Sequence, residues 1–461
     1  MVLRVAVVGA GAAGMSAASR VKRLLRDKAE VVVFEKSGWV SFALCGTPYY
    51  LGCRVKRLEE LLYYSPEEFT KKRGIKINLY TEVVDVEADA RRIRYRTRSG
   101  EEGVYEYDYL VLATGAKPRV PREWLMYKNV FALHSLDEAD AIRKYVVDNS
   151  VKRVAVIGGG YTGIEAADNI AELGREVVLI HSRDHLANKV LDPEMAEVVE
   201  EKARSRGVEL VLGKRAVSIE GDGGVARRVV LEGGDSVEAD AFIVSPGIVP
   251  DTALAEKAGL RIGETGAIWT DERMRTSNEY IYAIGDAVET RDIITGGRVW
   301  WPFAPAANKQ GYVAGTNIAG GDAVFPGVLR SSAFGAFGLY VAATGLREEE
   351  ASRYGFKPVA ATLTARTKAH YFGGGPEIRL KVIADEETGR LLGAQAVSED
   401  ASAFWRVNVV AALIWGHGTV WDLFSYDISY WPGANPVWDP IVVAARLLLR
   451  HFAKRPWKTL N

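Results

Sequence analysis

Short apolar runs rich in β-branched residues, each closed by small residues, recur along the chain and predict its architecture. Leu3-Arg4-Val5-Ala6-Val7-Val8 is nearly continuous in its apolar character, as a strand buried on both faces is. It runs into Gly9-Ala10-Gly11-Ala12-Ala13-Gly14, a helix-like segment, and a second strand-like run from Glu30 to Phe34. The same order returns at Arg153-Val154-Ala155-Val156-Ile157, followed by Gly158-Gly159-Gly160-Tyr161-Thr162-Gly163 and then Glu176 to Ile180. Each copy reads as a strand–helix–strand unit. Three more buried-strand runs end in small-residue turns: Tyr107 to Leu112 before Ala113-Thr114-Gly115, Ala239 to Val244 before Ser245-Pro246-Gly247, and Ile281 to Ile284 before Gly285-Asp286.

Within each unit, strand, Gly-x-Gly-x-x-Gly and helix follow in the order a dinucleotide site requires. The first glycine permits the tight turn, the second lets backbone approach a pyrophosphate, and the third lets helix rest on strand. The anion then sits at a helix N-terminus, where free N–H groups and the dipole favour negative charge. Gly9, Gly11 and Gly14 are therefore assigned to one dinucleotide, and Gly158, Gly160 and Gly163 to another. The units differ where the adenosine ribose is read. Glu35 ends the second strand of the first unit, and a carboxylate there accepts a ribose hydroxyl, which suits FAD. The matching residue of the second unit is His181, followed by Ser182 and Arg183, so no carboxylate opposes a 2′-phosphate. NADPH is expected to serve at least as well as NADH, with His181 and Arg183 at its adenosine end. The expected class is α/β, with two Rossmann-like dinucleotide-binding domains.

A chain of 461 residues exceeds what one core usually holds, ~250 to 300, so two or three domains are expected. Lysine plus arginine, at 59, equals aspartate plus glutamate, at 59, so no whole-chain field draws nucleic acid or an anionic membrane. Any anion site must be local. Two cysteines exclude a disulfide-stapled scaffold and suit a reducing compartment, so a cytoplasmic location is expected. The apolar start leads straight into a glycine loop and is read as strand rather than targeting segment. Arg446 and Arg450 interrupt the apolar stretch from Ile441 to Phe452, which is shorter than the ~20 residues of a membrane helix. Neither Cys-x-x-Cys nor His-Glu-x-x-His occurs, and no metal site is expected.

With these motifs in place, the chain resembles the pyridine nucleotide-disulfide oxidoreductases, flavoproteins with two dinucleotide-binding domains, from Val2 to about Arg450. The resemblance implies an FAD domain in two parts, residues 1–115 and 248–330. An NAD(P)H domain at 116–247 would interrupt it, and an α+β dimerisation domain at 331–461 would follow, giving a homodimer. The turns Ala113-Thr114-Gly115 and Gly285-Asp286 resemble the family's FAD-contacting segments, with Asp286 at the ribityl or phosphate region.

In such a fold the stretch Ser41-Phe42-Ala43-Leu44-Cys45-Gly46-Thr47-Pro48-Tyr49-Tyr50 would begin a helix beside the flavin, where a helix N-terminus stabilises a thiolate. Cys53 is expected to be a small core hydrophobe. A helix across the intervening positions would span ~12 Å, beyond the ~7 Å a disulfide permits, so Cys45 acts as a single cysteine. The stretch is similar to the coenzyme A-disulfide reductase, NADH oxidase and persulfide (sulfur) reductase group. That similarity implies electrons passing from NAD(P)H through flavin and Cys45 to a disulfide, persulfide or polysulfide. Oxygen as acceptor, and a protein electron carrier such as a reductase of a small iron-sulfur protein, are the other readings. The group's pattern places Tyr430 of the partner subunit at the Cys45-bound sulfur. It places coenzyme A, attached to Cys45, against Ser41, Arg20, Arg23, Lys71, Lys72 and Arg73, with Tyr371 in a second aromatic stretch. Arg20 and Arg23 share one helix face, which a solvated basic surface would also show. Leu44 stands where the group has asparagine, and Phe372 where it has a second tyrosine.

Overall fold

The computed structural model describes residues 2–148 and 150–452; Met1 and the last part of the expected third domain, 453–461, lie outside them. Both strand–helix–strand units form as read. Leu3–Val8 pairs in parallel with Ala29–Phe34 and with Tyr109–Leu112, in register Val5 to Val31 and Val5 to Tyr109. Arg153–Ile157 does the same with Glu176–Ile180 and Ala241–Val244. Each is the centre of a five-stranded parallel sheet. Val5, Val7, Val154 and Val156 are fully buried on the faces that carry the helices, and Ala6, Val8, Ala155 and Ile157 are buried on the opposite faces against the strands of a small antiparallel sheet, which explains the near-continuous apolar runs.

Chain order and sheet order part company in an informative way. Ile281–Ala283 returns to pair with Tyr109–Leu112 of the first sheet, although the whole second sheet intervenes. Each parallel sheet also carries a small three-stranded antiparallel sheet, Thr81–Glu106 in one and Ala216–Glu238 in the other. The copied unit is thus longer than the glycine loops and their flanking strands. An antiparallel ribbon, Ala116–Pro118 with Ile248–Pro250, joins the paths out of and back into the first unit. The third layer is a five-stranded antiparallel sheet, Ser332–Ala336, Leu339–Gly345, Leu391–Ser398, Glu377–Asp385 and Pro358–Arg366, with the helix Ser402–Trp415 against it. The fold is α/β with two parallel-sheet domains and a C-terminal α+β part. No helix of the described residues is long and apolar enough to cross a membrane.

A buried ion cluster fastens the second parallel-sheet unit to the third layer. Lys381, 3% exposed on strand Glu377–Asp385, reaches Asp192 at 2.9 Å, Glu194 at 2.6 Å and Glu348 at 2.8 Å. The Gln395 amide closes it, donating to Asp192 Oδ2 and accepting from the Asp192 N–H, both at 2.8 Å. Three carboxylates around one ammonium raise the lysine's pKa despite the opposing cost of burial. Lys381→Met would keep the side-chain length and strand Asp192 without its cation. Breaking a buried pair costs about 3–5 kcal/mol. A clearly lower urea midpoint is expected for this variant, and a smaller loss for Lys381→Arg, followed by tryptophan fluorescence.

Candidate active site

The two glycine loops are geometric copies. Gly9 has φ +104° and Gly158 φ +123°, a region L side chains rarely enter; a Cβ at either would stand 2.2 or 2.0 Å from a carbonyl oxygen, of Ala113 or Ser245. At Gly11 and Gly160 nothing lies within 4 Å of such a Cβ, so each helix start is open. Neither helix, Ala12–Leu25 nor Tyr161–Glu172, is capped by a side chain. Uncovered N–H groups beside open space fit a pyrophosphate at both loops.

Glu35 and His181 perform one local task with different chemistry. Glu35 accepts from the Ala10 N–H at 2.8 Å and from the Ser37 N–H at 2.8 Å. At the matching position of the second loop, His181 Nδ1 accepts from the Gly159 N–H at 3.1 Å. That leaves Nε2–H to donate to Asn188 Oδ1 at 3.1 Å, so the ring is neutral. Burial, its main cause, pushes the ring's pKa below the ordinary imidazole range. Arg183 departs from expectation. It is exposed and outside the cavity wall, with its carbonyl turned to the Gly213 N–H at 2.9 Å; Ser182, Lys189, Lys214 and Arg215 line the wall instead.

Both loops open into one cavity of about 2190 Å³. Its wall brings together Glu35, Ser41, Cys45, Ala113, Thr114, Gly115, His181 and Asp286, residues far apart in sequence. Thr114 Oγ1 donates to the Asp251 carbonyl at 2.7 Å, fixing the turn after Tyr109–Leu112. The Asp286 carboxyl has its pKa raised by burial.

Cys45 lies in the turn Leu44–Gly46, ahead of a helix of only five residues, Thr47–Leu51. Its thiol is free and faces the cavity. The expected helix-stabilised thiolate has only this one short turn of helix behind it. Protein crowding at the cavity wall, followed by the charges of Glu165 and Asp286, pushes the thiol's pKa up, and one short turn of helix cannot offset them. Cys53 corrects a second expectation: it is exposed, at φ +62°, just past the helix, where the chain turns outward.

Arg20 and Arg23 line the far end of the same cavity. Arg20 donates to Thr316 Oγ1 at 2.9 Å and lies 4.0 Å over the Tyr312 ring. Lys71 and Lys72 do not line it; both are exposed, and Lys72 pairs with Glu68 at 2.8 Å. The widened turn Glu68–Lys72 directs them outward and leaves Arg73 in the wall, bonded to Ser19 Oγ at 3.0 Å and 4.4 Å over Tyr64.

Tyr371 and Tyr430 are exposed, and their hydroxyls meet at 2.7 Å. Arg406 brings their segments together, binding Asp439 through two nitrogens and the Thr367 carbonyl at 3.1 Å, while Ala369 N–H donates to the Pro432 carbonyl. Neither tyrosine lines the cavity of its own chain. The Tyr371 hydroxyl, as the main cause, raises the pKa of Tyr430. Phe372 sits edge-on to Trp431, with ring centres 5.6 Å apart.

Sequence reasoning missed Tyr161 and Glu165 in the wall, and Tyr49, which bonds to Glu165. Tyr161 Oη donates to Ser332 Oγ at 2.9 Å and lies edge-on to Phe303 and Phe334. Tyr49 Oη donates to Glu165 Oε1 at 2.8 Å. The overlooked signal was spacing: Tyr161 and Glu165 stand i,i+4 on the helix leaving the second loop, so they share the face that overlooks the ligand.

Comparisons with known proteins agree with this geometry. Residues 3–311 match the family described as pyridine nucleotide-disulphide oxidoreductase, and residues 332–440 match its dimerisation domain. The chain is 46% identical to the CoA-dependent NAD(P)H sulfur oxidoreductase of Pyrococcus furiosus, over 96% of this chain and 99% of that protein. It is 34% identical to an NADH oxidase of Methanocaldococcus jannaschii, over 98% and 100%. Among solved structures, the NAD-dependent persulfide reductase from A. fulgidus superposes with TM-score 0.94 at 37% identity, covering 98% of this chain and 84% of that one. By both its domains and its full-length relatives, the chain belongs to the pyridine nucleotide-disulphide oxidoreductase family.

Proposed function

We propose that the protein is an NAD(P)H-dependent flavoprotein that reduces a sulfur–sulfur bond held on Cys45, with coenzyme A disulfide or a CoA-linked persulfide or polysulfide as substrate. One observation carries the reading: a single free cysteine faces the cavity into which two anion-binding loops and an arginine end all open. The relatives' printed roles, CoA-dependent sulfur reduction and persulfide reduction, support it.

FAD, when bound, supplies the two-electron relay between nicotinamide and sulfur. Gly9, Gly11, Gly14, Glu35, Ala113, Thr114, Gly115 and Asp286 are the residues assigned to hold it. Gly158, Gly160 and Gly163 seat the pyrophosphate of NAD(P)H, and His181 with Ser182, Lys189 and Lys214 meets its adenosine end. Cys45 carries the substrate sulfur and is left as a thiolate when the S–S bond breaks. Tyr430 of the partner subunit protonates the departing sulfur as general acid, its proton held by Tyr371 until then. The chain would therefore work as a homodimer, and two unpaired thiols suit the cytoplasm. Coenzyme A phosphates meet Arg20, Arg23 and Arg73, since charge-assisted contacts to phosphate are the strong ones. Tyr63 and Tyr64 stand at that end of the wall. Leu44 lines the wall as well, where an amide would have contacted the bound thiol.

Protein purified without thiols is expected to lose one coenzyme A per subunit on mild reduction, read by intact mass, and Cys45→Ser should carry none. A loss of one or two sulfur atoms would assign a persulfide. A lone oxygen adduct, with oxygen consumption surviving Cys45→Ser, would favour the NADH oxidase reading.

Arg73→Ala should raise KM for coenzyme A disulfide by about tenfold, the equivalent of ~1.4 kcal/mol, and leave kcat nearly unchanged. Lys72→Ala should change neither.

His181→Glu preserves an acceptor for the Gly159 N–H and adds a carboxylate facing the 2′-position. NADPH kcat/KM should fall at least about tenfold while NADH is little affected, in steady-state assays of both nucleotides.

A further inference from the structure

The basic residues at the adenosine end of the second site have acidic neighbours built into the same unit. Backbone bonds fix Lys214 beside the ribose-reading position: its N–H donates to the His181 carbonyl at 3.1 Å, and the Gly213 N–H to the Arg183 carbonyl at 2.9 Å. Lys214 and Arg215 thus enter the cavity wall next to His181 and Ser182. From Arg215 the chain passes into Ala216–Asp222, the first strand of the small antiparallel sheet, and Val225–Leu231 brings it back with Leu231 opposite Ala216. The return ends in Glu232-Gly233-Gly234-Asp235, ahead of Ser236–Glu238. Gly233 and Gly234 have φ +94° and +93°, so the chain reverses within two residues and carries both flanking acids back to the wall. Asp235 Oδ2 lies 3.3 Å from Lys214 Nζ, and Glu232 Oε2 3.9 Å from Arg215 Nε. The Glu232 N–H donates to the Arg215 carbonyl at 2.7 Å, which ties the turn in place. Lys189, in the same wall next to the Asn188 that holds His181, has no ion-pair partner among the described residues.

NADPH brings a phosphate of nearly two negative charges to the ribose 2′-position, where NADH brings a neutral hydroxyl. That phosphate and the Asp235 carboxylate compete for one ammonium. The ion pair is open to solvent, 44% exposed at Lys214 and 70% at Asp235, so it is weak enough to exchange, and a lysine on its four-carbon stem can swing from one anion to the other. We infer that Lys214 is a ligand of the NADPH 2′-phosphate and that Asp235, by holding Lys214 when no phosphate is present, sets how strongly NADPH is preferred over NADH. The inference deepens, and rests on, the reading of the second loop as the NAD(P)H site. Asp235 does not line the cavity itself; it is a positioning residue, acting through Lys214.

The test uses FAD-loaded enzyme. Kd for NADP⁺ and NAD⁺ is measured by calorimetry on the oxidised protein, and half-saturating NADPH and NADH are read from the rate of anaerobic flavin bleaching; neither readout needs a sulfur acceptor. Asp235→Asn should tighten NADP⁺ and NADPH by about three- to fivefold, the size of one exposed ion pair, and leave NAD⁺ and NADH unchanged. Lys214→Met should weaken the two phosphorylated nucleotides by about tenfold, and Asp235→Asn added to it should change nothing further. Asp222→Asn, the same loss of charge at the far end of strand Ala216–Asp222, should move none of the four constants. An Asp235→Asn variant that binds NADP⁺ no better than the parent would overturn the inference. So would a tightening that survives in full on Lys214→Met, which would make Asp235 a repulsive charge and no more. Weaker NAD⁺ and NADH binding in Asp235→Asn would make the carboxylate a ribose acceptor and overturn the inference too. A parent flavin bleached by neither nucleotide would overturn the NAD(P)H reading itself, and the inference with it.

Discussion

A helix start binds an anion only while its N–H groups stay uncovered, and that constraint organises this molecule. It demands a strand that turns sharply into a helix, a turn where the Gly9 and Ala113 backbones nearly touch, and a Gly11 position with nothing over it. The chain meets the demand twice with the same backbone. Once both loops are set, the sheets behind them, the returning strand Ile281–Ala283 and the helix that carries Gly311 against Ala13 all follow from keeping two open helix ends around one space. Lys381 then fixes the third layer to the second unit, so the walls of that space are held by ion pairing as well as by apolar contact.

The space so enclosed is a demanding place for charge. Among the groups that face it, burial is the leading influence on the pKa of the Cys45 thiol, the Glu165 and Asp286 carboxyls and the His181 imidazole. At Cys45 a helix of five residues offers a thiolate little support against that burial. When the sulfur leaves as an anion during turnover, the surroundings decide how that anion is tolerated. Cys45 stands in the wall of that space, while Cys53, bent into left-handed backbone, lies outside it.

Much of this was legible in the sequence, and the misses have common causes. The repeated strand, glycine loop and helix were readable because local rules fix them: β-branched runs, Gly-x-Gly-x-x-Gly, and Glu35 at the strand end. Cys45 and Asp286 were found by motif, and the cavity unites them. Arg183, Lys71 and Lys72 lie outside the wall because adjacency in sequence says nothing of direction within a turn, and of the run Lys71-Lys72-Arg73 only Arg73 lines it. Glu165 and Tyr49 were invisible because their meeting joins segments 116 residues apart, and no spacing rule encodes a contact across domains. The three-stranded sheets were missed since amphipathic strands such as Arg92–Thr97 lack the apolar signature of their buried neighbours.

The two loops are copies in shape but not in the chemistry that anchors them. Glu35 holds the first through carboxyl oxygens. His181 anchors the second through a ring nitrogen that stops accepting as soon as it gains a proton. Its pKa is depressed in the folded chain, so the neutral ring's contribution is fully present above the ordinary imidazole range. It is lost as pH falls through the lower folded value. Below that point the Gly159 N–H has lost its partner, and the second loop gives up the local bond on which its shape depends.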